Sequence, residues 1–424
     1  MAYMRRAVDS ILSQDLQAVG GVLIEGARGC GKTETGLQHA QSFFRVDHAQ
    51  NQRLAALNPQ TALQGDTPRL IDEWQLEPSL WNEVRHEIDA RRKPGQFILS
   101  GSAFPADSIT RHTGAGRLTR IKMRPMALGE AYYQDGCITL NQLREITSVP
   151  ALPRTLAYKE LSVEAVRGGW PALIAHDNTG FIRFNRALVE NIAHVDLPDI
   201  GKEFAPERVR RLLRSVAHNV ASETTATTLS KDISADGGQL TPLSVRRYLD
   251  ALTRIFILEE LPPWSGKLRS KSRLRKQSKL HFCDPSIACA ALGTTPEGLA
   301  NDPEYFGQVF ESMAVRDIRT YADQIGASCF GYRDDVGLEV DIICEFDDGH
   351  WAGIEIKLGE SDSVISSAES NLLRLKDSRM VTEPDFLAVV TGGYSGFTLP
   401  SGVHVVPLSA LGPERSLLAM EYSR

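Results

Sequence analysis

The octapeptide Gly26-Ala27-Arg28-Gly29-Cys30-Gly31-Lys32-Thr33 fits the pattern G-x-x-x-x-G-K-[ST]. It follows a short apolar run (Val22, Leu23, Ile24) and opens a helix-like stretch from Lys32 to about Phe43. Strand, glycine-rich loop and helix in that order leave few folds open, because the loop must curl tightly where both neighbouring elements are buried. Gly26, Gly29 and Gly31 let backbone amides turn toward one point, and the helix behind them aims its positive end there. That geometry selects phosphate oxygens. Lys32 is then expected to reach the β- and γ-phosphates of a nucleotide, ATP, and the Thr33 hydroxyl to ligate Mg²⁺.

A phosphate loop needs an acid at the end of a neighbouring strand to hold the magnesium. Two further apolar runs, Arg69-Leu70-Ile71-Asp72-Glu73 and Gln96-Phe97-Ile98-Leu99-Ser100, flank a helix-like segment from Leu80 to Arg92. Asp72 supplies the metal-binding acid and Glu73 stands ready to polarise the attacking water; the alternative is that both acids open a helix. The strand ending in Ser100-Gly101-Ser102 is expected between the two motifs. There Ser100 or Ser102 would sense the γ-phosphate. Arg117, or Arg111 before it, is a candidate arginine finger acting in the same chain or in a neighbour of a homo-oligomer, with a surface role as the alternative. Alternation of strands and helices over the first 130 residues predicts an α/β unit with a parallel sheet covered on both faces.

The chain has 424 residues, enough for two to four domains each with its own core. Its 47 Lys+Arg against 53 Asp+Glu give a net charge of −6, so any nucleic-acid contact must be local. No apolar run approaches the roughly 20 residues of a spanning helix. The six cysteines form no C-x-x-C pair, which argues against a zinc ribbon or disulfide framework and for reduced thiols. A cytoplasmic protein with no membrane partner is the expectation.

Residues 131–203 read as a helical connector containing the turn Gly168-Gly169-Trp170-Pro171. Residues 204–295 read differently: helices over Pro206–Val220, Leu229–Ile233 and Leu243–Ile257, with the turn Ala235-Asp236-Gly237-Gly238 before the third. A strand pair, Ile257–Leu261 and Lys279–Cys283, follows, joined by a hairpin carrying Lys267, Arg269, Lys271, Arg273, Arg275, Lys276 and Lys279. That outline is a winged helix-turn-helix, with the basic hairpin 267–279 as wing and Arg246 and Arg247 opening the recognition helix. Nucleic-acid contact is one use of it; packing the first unit onto the last is the other.

Residues 300–424 open with a helix bearing Glu311. Two strands follow in which acids alternate with apolar residues, Glu339-Val340-Asp341-Ile342-Ile343 and Gly353-Ile354-Glu355-Ile356-Lys357. A hairpin across Asp347–His350 would bring Asp341 beside Glu355, and the period of two puts Glu355 and Lys357 on one face. Asp followed by Glu-x-Lys one strand on resembles the restriction-endonuclease-like α/β fold. That resemblance implies Asp341 and Glu355 as Mg²⁺ ligands, Lys357 as charge stabiliser and Glu311 as an extra acid. The alternative is an exposed strand or a decayed site.

Taken together, Gly26–Thr33, Leu70–Glu73, Ile98–Ser102, Gly116-Arg117 and Arg124-Pro125 resemble the AAA+ (additional-strand, ASCE) branch of P-loop ATPases. More narrowly they resemble a prokaryotic family joining such an ATPase to a carboxy-terminal domain of unknown function. The resemblance implies an ATP-hydrolysing domain over 1–130 coupled through the winged helix to a nuclease-like domain acting on nucleic acid. A rival is an ATP-switched regulatory protein whose last domain is an inactive docking fold; another is a nuclease whose loop binds nucleotide but scarcely turns over.

Overall fold

The structure, a computed structural model, describes residues 3–102, 114–132, 137–152, 155–174, 180–197, 204–264, 277–378 and 382–414. The amino-terminal unit begins with α1 (Ala7–Ala18), β1 (Gly21–Glu25) and α2 (Lys32–His39). Then come β2 (Ser42–Arg45), β3 (Arg69–Asp72), α3 (Leu80–Arg91), β4 (Phe97–Gly101) and β5 (Leu118–Lys122). The five strands are parallel in the order β2-β3-β4-β1-β5. Leu23, Ile71 and Leu99 face Trp81 and Val84 of α3, while Val22, Ile24 and Ile98 face Val8 and Leu12 of α1. Both faces are thus covered, as the near-continuous apolar strands require.

Two local readings change. The helix after the glycine loop stops at His39, and Phe43 lies in β2, an edge strand whose only buried residue is Phe44. A four-residue, one-sided edge strand leaves no apolar run to read. β5 is equally quiet, since only Ile121 is buried along it.

Next come α4 (Tyr158–Arg167), α5 (Phe181–Asn191), α6 (Pro206–His218), β6 (Ser222–Glu223), α7 (Ala226–Ala235) and α8 (Pro242–Arg254), and these helices share one core. Thr225 and Thr241 cap α7 and α8 through their hydroxyls, and Pro242 follows the second cap at a position where no amide is needed. The left-handed Gly237 (φ 75°) turns the chain between them. Antiparallel β7 (Leu258–Leu261) and β8 (Lys279–Phe282) complete a three-stranded sheet with β6 outermost on β8. The hairpin residues Lys267, Arg269, Lys271, Arg273, Arg275 and Lys276 lie outside the described residues, as does Arg111.

After α9 (Pro285–Leu292), the long α10 (Pro303–Gln324) leads into a mixed sheet. Its strands are β9 (Ser328–Arg333), β10 (Glu339–Glu345), β11 (Trp351–Lys357), β12 (Phe386–Thr391), β13 (Phe397–Thr398) and β14 (His404–Pro407). α11 (Asp362–Asp377) crosses between β11 and β12. One face carries α11; the other meets α10 in a core that also takes in Leu161, Val209, Leu229 and Ala27 of the phosphate loop.

Candidate functional site

Around the phosphate loop, Gly29 (φ 85°) and Gly31 (φ 108°) occupy left-handed backbone that a side chain would strain. A Cβ at Gly26 would stand 2.1 Å from the Met123 carbonyl oxygen, so only glycine fits. Lys32 is buried and its Nζ donates to the carbonyls of Gly26 (2.9 Å) and Ala27 (3.0 Å). From the next motif, Asp72 accepts from Thr33 Oγ1 at 2.9 and 3.1 Å and from the Ser100 hydroxyl. β4 separates β1 from β3, so Ser100 reaches Asp72 from between the two motifs, as the sequence predicts.

Glu73 leaves the end of β3 in left-handed backbone (φ 55°), unusual for a residue with a side chain. Its carboxylate accepts from the Gln75 amide and, at 3.4 Å, from the Ser102 hydroxyl. The two serines thus divide between the acids, Ser100 on Asp72 and Ser102 on Glu73. Gln75 is a site residue without a motif; its only signal is its position two residues after Glu73. A second unread group is Arg6, which donates to the Cys30 carbonyl at 2.9 Å and the Arg124 carbonyl at 2.8 Å, bracing the loop from α1's amino end. Beside Gly31 opens a cleft of about 490 Å³ lined by Tyr3, Glu34, Gln38, Met126 and Pro171.

Arg117 is not brought to this site. Its Nε pairs with Asp89 at 2.7 Å, and it precedes Leu118, whose partner in β1 is Gly21. The glycine loop follows the other end of β1, about 13 Å away along the strand. A same-chain finger role is therefore excluded by placement.

In the carboxy-terminal unit the four expected residues do converge. β10 and β11 pair antiparallel with Ile342 opposite Ile354, so Asp341 and Glu355 stand at the next step, and the Ile356 amide donates to Asp341 at 2.8 Å. Lys357 Nζ lies 2.6 Å from Glu355 Oε2 and 3.5 Å from Asp341 Oδ2, while Asn371 of α11 donates to Glu355 Oε1 at 3.0 Å. A fifth residue comes from outside the unit. Lys279 Nζ, at the start of β8, lies 2.8 Å from Glu311, 2.8 Å from Glu339 and 3.4 Å from Asp341, with its side chain only 8% exposed. Lys279 is thus corrected from a wing residue facing solvent to a buried one facing acids.

Burial and the neighbouring Asp341 charge push Glu311 up to about 8, and the same two causes raise Glu355 to about 7. For Asp341 burial acts upward, but Lys357 and Lys279 outweigh it and hold the carboxyl below its usual range. Both lysines are driven up, burial being outweighed by the acids around them. The acids a divalent cation would need are already paired with ammonium groups, and among the described residues no group of three or more His, Cys, Asp or Glu is arranged to hold a metal. The donor set at Thr33 and Asp72, by contrast, suits Mg²⁺, which prefers a hydroxyl and a carboxylate with room for phosphate and water. Among the described residues no helix is long and apolar enough to cross a membrane.

Three family descriptions match successive parts of the chain. Residues 20–132 match an AAA domain, residues 158–298 a domain of unknown function (DUF8612), and residues 306–411 a domain of unknown function (DUF4143). Two relatives described as uncharacterized proteins, from Mycobacterium tuberculosis and Mycobacterium bovis, are each 25% identical over 431 aligned residues, spanning 99% of this chain and 88% of theirs. Among solved structures, a Walker-type ATPase of Pyrococcus abyssi aligns with 68% of this chain and 96% of its own at 11% identity (TM-score 0.43). AMPPCP-bound DnaA from Aquifex aeolicus aligns with 60% of this chain and 89% of its own at 12% identity (TM-score 0.27). The segment 20–132, which matches an AAA domain, carries the glycine loop, the paired acids and the intervening strand of a parallel sheet that such ATP-binding domains use.

Proposed function

We propose that this chain is an ATP-hydrolysing AAA+ protein that acts on nucleic acid through a winged helix-turn-helix and carries a restriction-endonuclease-like unit at its carboxy-terminal end. One observation carries the ATPase reading: Thr33 and Ser100 both bond Asp72 while Glu73 stands beside it, tied to Gln75 and Ser102. Backbone amides of Gly29–Thr33 and the amino end of α2 would bind the phosphates. Lys32 would exchange its carbonyl partners for phosphate oxygens, and Thr33 and Asp72 would hold Mg²⁺. Bound magnesium supplies charge neutralisation for the phosphates. Glu73 would accept the proton of the attacking water, its position set by Gln75 and Ser102. The cleft beside Gly31 is the assigned place for the nucleoside.

Phosphate release tests this directly. Wild type should hydrolyse ATP, Glu73→Gln should bind ATP and turn over about 100-fold more slowly or worse, and Lys32→Ala should lose binding. Equal turnover by wild type and Glu73→Gln would remove ATPase chemistry from the account.

For the middle unit, the reading is supported by the order of helices and strands and by Arg246 and Arg247, both on the exposed side of α8. Gel-shift affinity for DNA should fall steeply with salt and drop further in Arg246→Ala/Arg247→Ala; affinity flat in salt and indifferent to the change argues for a protein-packing role. The domain limits 1–130, 131–203, 204–295 and 300–424 are proposed with it. A homo-oligomer in which Arg117 reaches a neighbour's nucleotide is the arrangement under which that arginine keeps a catalytic role.

A further inference from the structure

The acids Glu311, Glu339, Asp341 and Glu355 form the one constellation whose partner the expected chemistry does not provide. An ammonium carries three donors and no acceptor. Lys279 meets three carboxylates, from α10 and from two positions of β10, donating hydrogen bonds to Glu311 and Asp341 and pairing as an ion with Glu339. Its nitrogen sits 2.8 Å from the two nearest oxygens, a spacing that fits N–H···O bonds; Mg²⁺ needs oxygens at 2.0–2.1 Å and most of its shell free for water. The lysine is also delivered rigidly. β8 is the middle strand of its sheet, paired with β7 over Leu258–Leu261. β7 in turn runs on into the carboxy-terminal unit, where the Trp264 amide donates to the Gly331 carbonyl (2.6 Å) and the Gly331 amide to the Pro262 carbonyl (2.9 Å). The hairpin base is therefore stitched to β9 by one leg and to the acidic cluster by the other.

We propose that Lys279 is the resident cation of this cluster: its ammonium stands in the place a divalent metal takes in hydrolytic carboxylate sites, so the carboxy-terminal unit is held metal-free while β8 stays seated. This rests on the nuclease-like reading of the unit and turns it into a latent site. The acids are assembled for a cation, and the protein supplies that cation from its own middle unit. Withdrawal of β8 would leave the mostly buried Glu311 and Asp341 together beside the half-exposed Glu339, and a divalent cation would then be drawn to neutralise them.

The test is Mn²⁺ binding by the nucleotide-free full chain, followed by electron paramagnetic resonance, in an Asp72→Asn background that silences the magnesium ligand of the AAA domain. Lys279→Met should bind Mn²⁺ at least about tenfold more tightly than the parent. Adding Asp341→Asn should abolish the gain, and Lys279→Arg, which keeps the charge, should bind no better than the parent. Thermal melting of the same proteins covers the case in which Lys279→Met does not fold unaided: Mn²⁺ should then restore its cooperative transition and leave that of the parent unchanged. Tight Mn²⁺ binding by the parent, no gain in folded Lys279→Met, or a variant that stays unfolded with Mn²⁺ would each overturn the proposal. Phosphate release measured with Asp72 intact reports on the ATPase reading separately, so the two can fail independently.

Discussion

Arg124 Nε lies 3.0 Å from Glu259 Oε2, with both side chains 4% exposed, joining the chain just past β5 to β7. The same carboxylate receives Lys122 and Arg319, each at 3.2 Å, and Arg124 also bonds Asp323 of α10 at 2.5 Å. Burial would raise the Glu259 carboxyl, but Arg124, Arg319 and Lys122 outweigh it and keep it far below the ordinary range. One glutamate thus anchors all three units. Removing either of this buried pair leaves its partner's charge behind at a side chain only 4% exposed, so Arg124→Met or Glu259→Gln should each cost about 3–5 kcal/mol in urea unfolding. The double variant Arg124→Met/Glu259→Gln should cost clearly less than the sum, which a double-mutant cycle reads directly.

The two serines of the third motif should separate kinetically. Ser100→Ala removes a hydrogen bond to Asp72 and should raise the Mg²⁺ concentration needed for half-maximal ATP turnover by about tenfold. Ser102→Ala should leave the Mg²⁺ requirement alone. Gln75→Ala should lower kcat several-fold with little change in KM, because the amide holds the Glu73 carboxylate in place. A magnesium titration of phosphate release distinguishes the three.

Arg117 sits at the edge of the sheet away from the glycine loop. Arg117→Ala should therefore leave ATP affinity within about twofold of wild type in fluorescence titration, a change under 0.5 kcal/mol. Loss of turnover without loss of affinity, appearing only at protein concentrations where subunits associate, is the signature expected of an arginine acting on a neighbour.

His281, two residues after Lys279, is fully buried; its Nδ1 shares a 3.3 Å hydrogen bond with Ser312 and its Nε2 has no partner. It faces Lys279 from its own strand, Arg319 from α10, Glu259 from β7 and Asp341 from β10. Burial first, then the Lys279 and Arg319 charges, push the imidazole down to about 3. Below its unfolded value of about 6.5 the unfolded chain binds a proton that the folded one refuses, so stability falls as pH drops from 6.5 toward 3. The full effect is roughly 5 kcal/mol for a shift from 6.5 to about 3. His281→Gln cannot take up that proton and should lose less stability than wild type between pH 7 and pH 4, as measured by urea midpoints at each pH.

The nucleotide half of the site was legible because its chemistry is written in contiguous residues. Gly26–Thr33 and Asp72-Glu73 each declare themselves by spacing, and the intervening β4 followed from an apolar run ending in Ser100. Gln75 and Arg6 were not legible, since one amide and one guanidinium at unremarkable positions acquire a role only when β3 turns and α1 docks. In the last unit the period of two on β10 and β11 was enough to bring Asp341 to Glu355. Lys279 was misread for a physical reason. In sequence it closes a run of seven basic residues, and only the pairing of β7 with β8 shows that it points inward while the run's other members precede the strand. β2 and β5 escaped notice because edge strands bury one residue each and so carry no pattern.

Ala27 of the glycine loop lies in the same continuous core as Leu161, Val209, Leu229, Phe306, Val390 and Leu411. A chain whose units share their interior in this way has little to gain from melting piecemeal, and heating should show a single transition. Any molecule bound at the glycine loop then adds its binding free energy to the whole. Strands as distant as β12 and β14 should exchange their amide hydrogens more slowly when nucleotide is present, with no atom near them having moved.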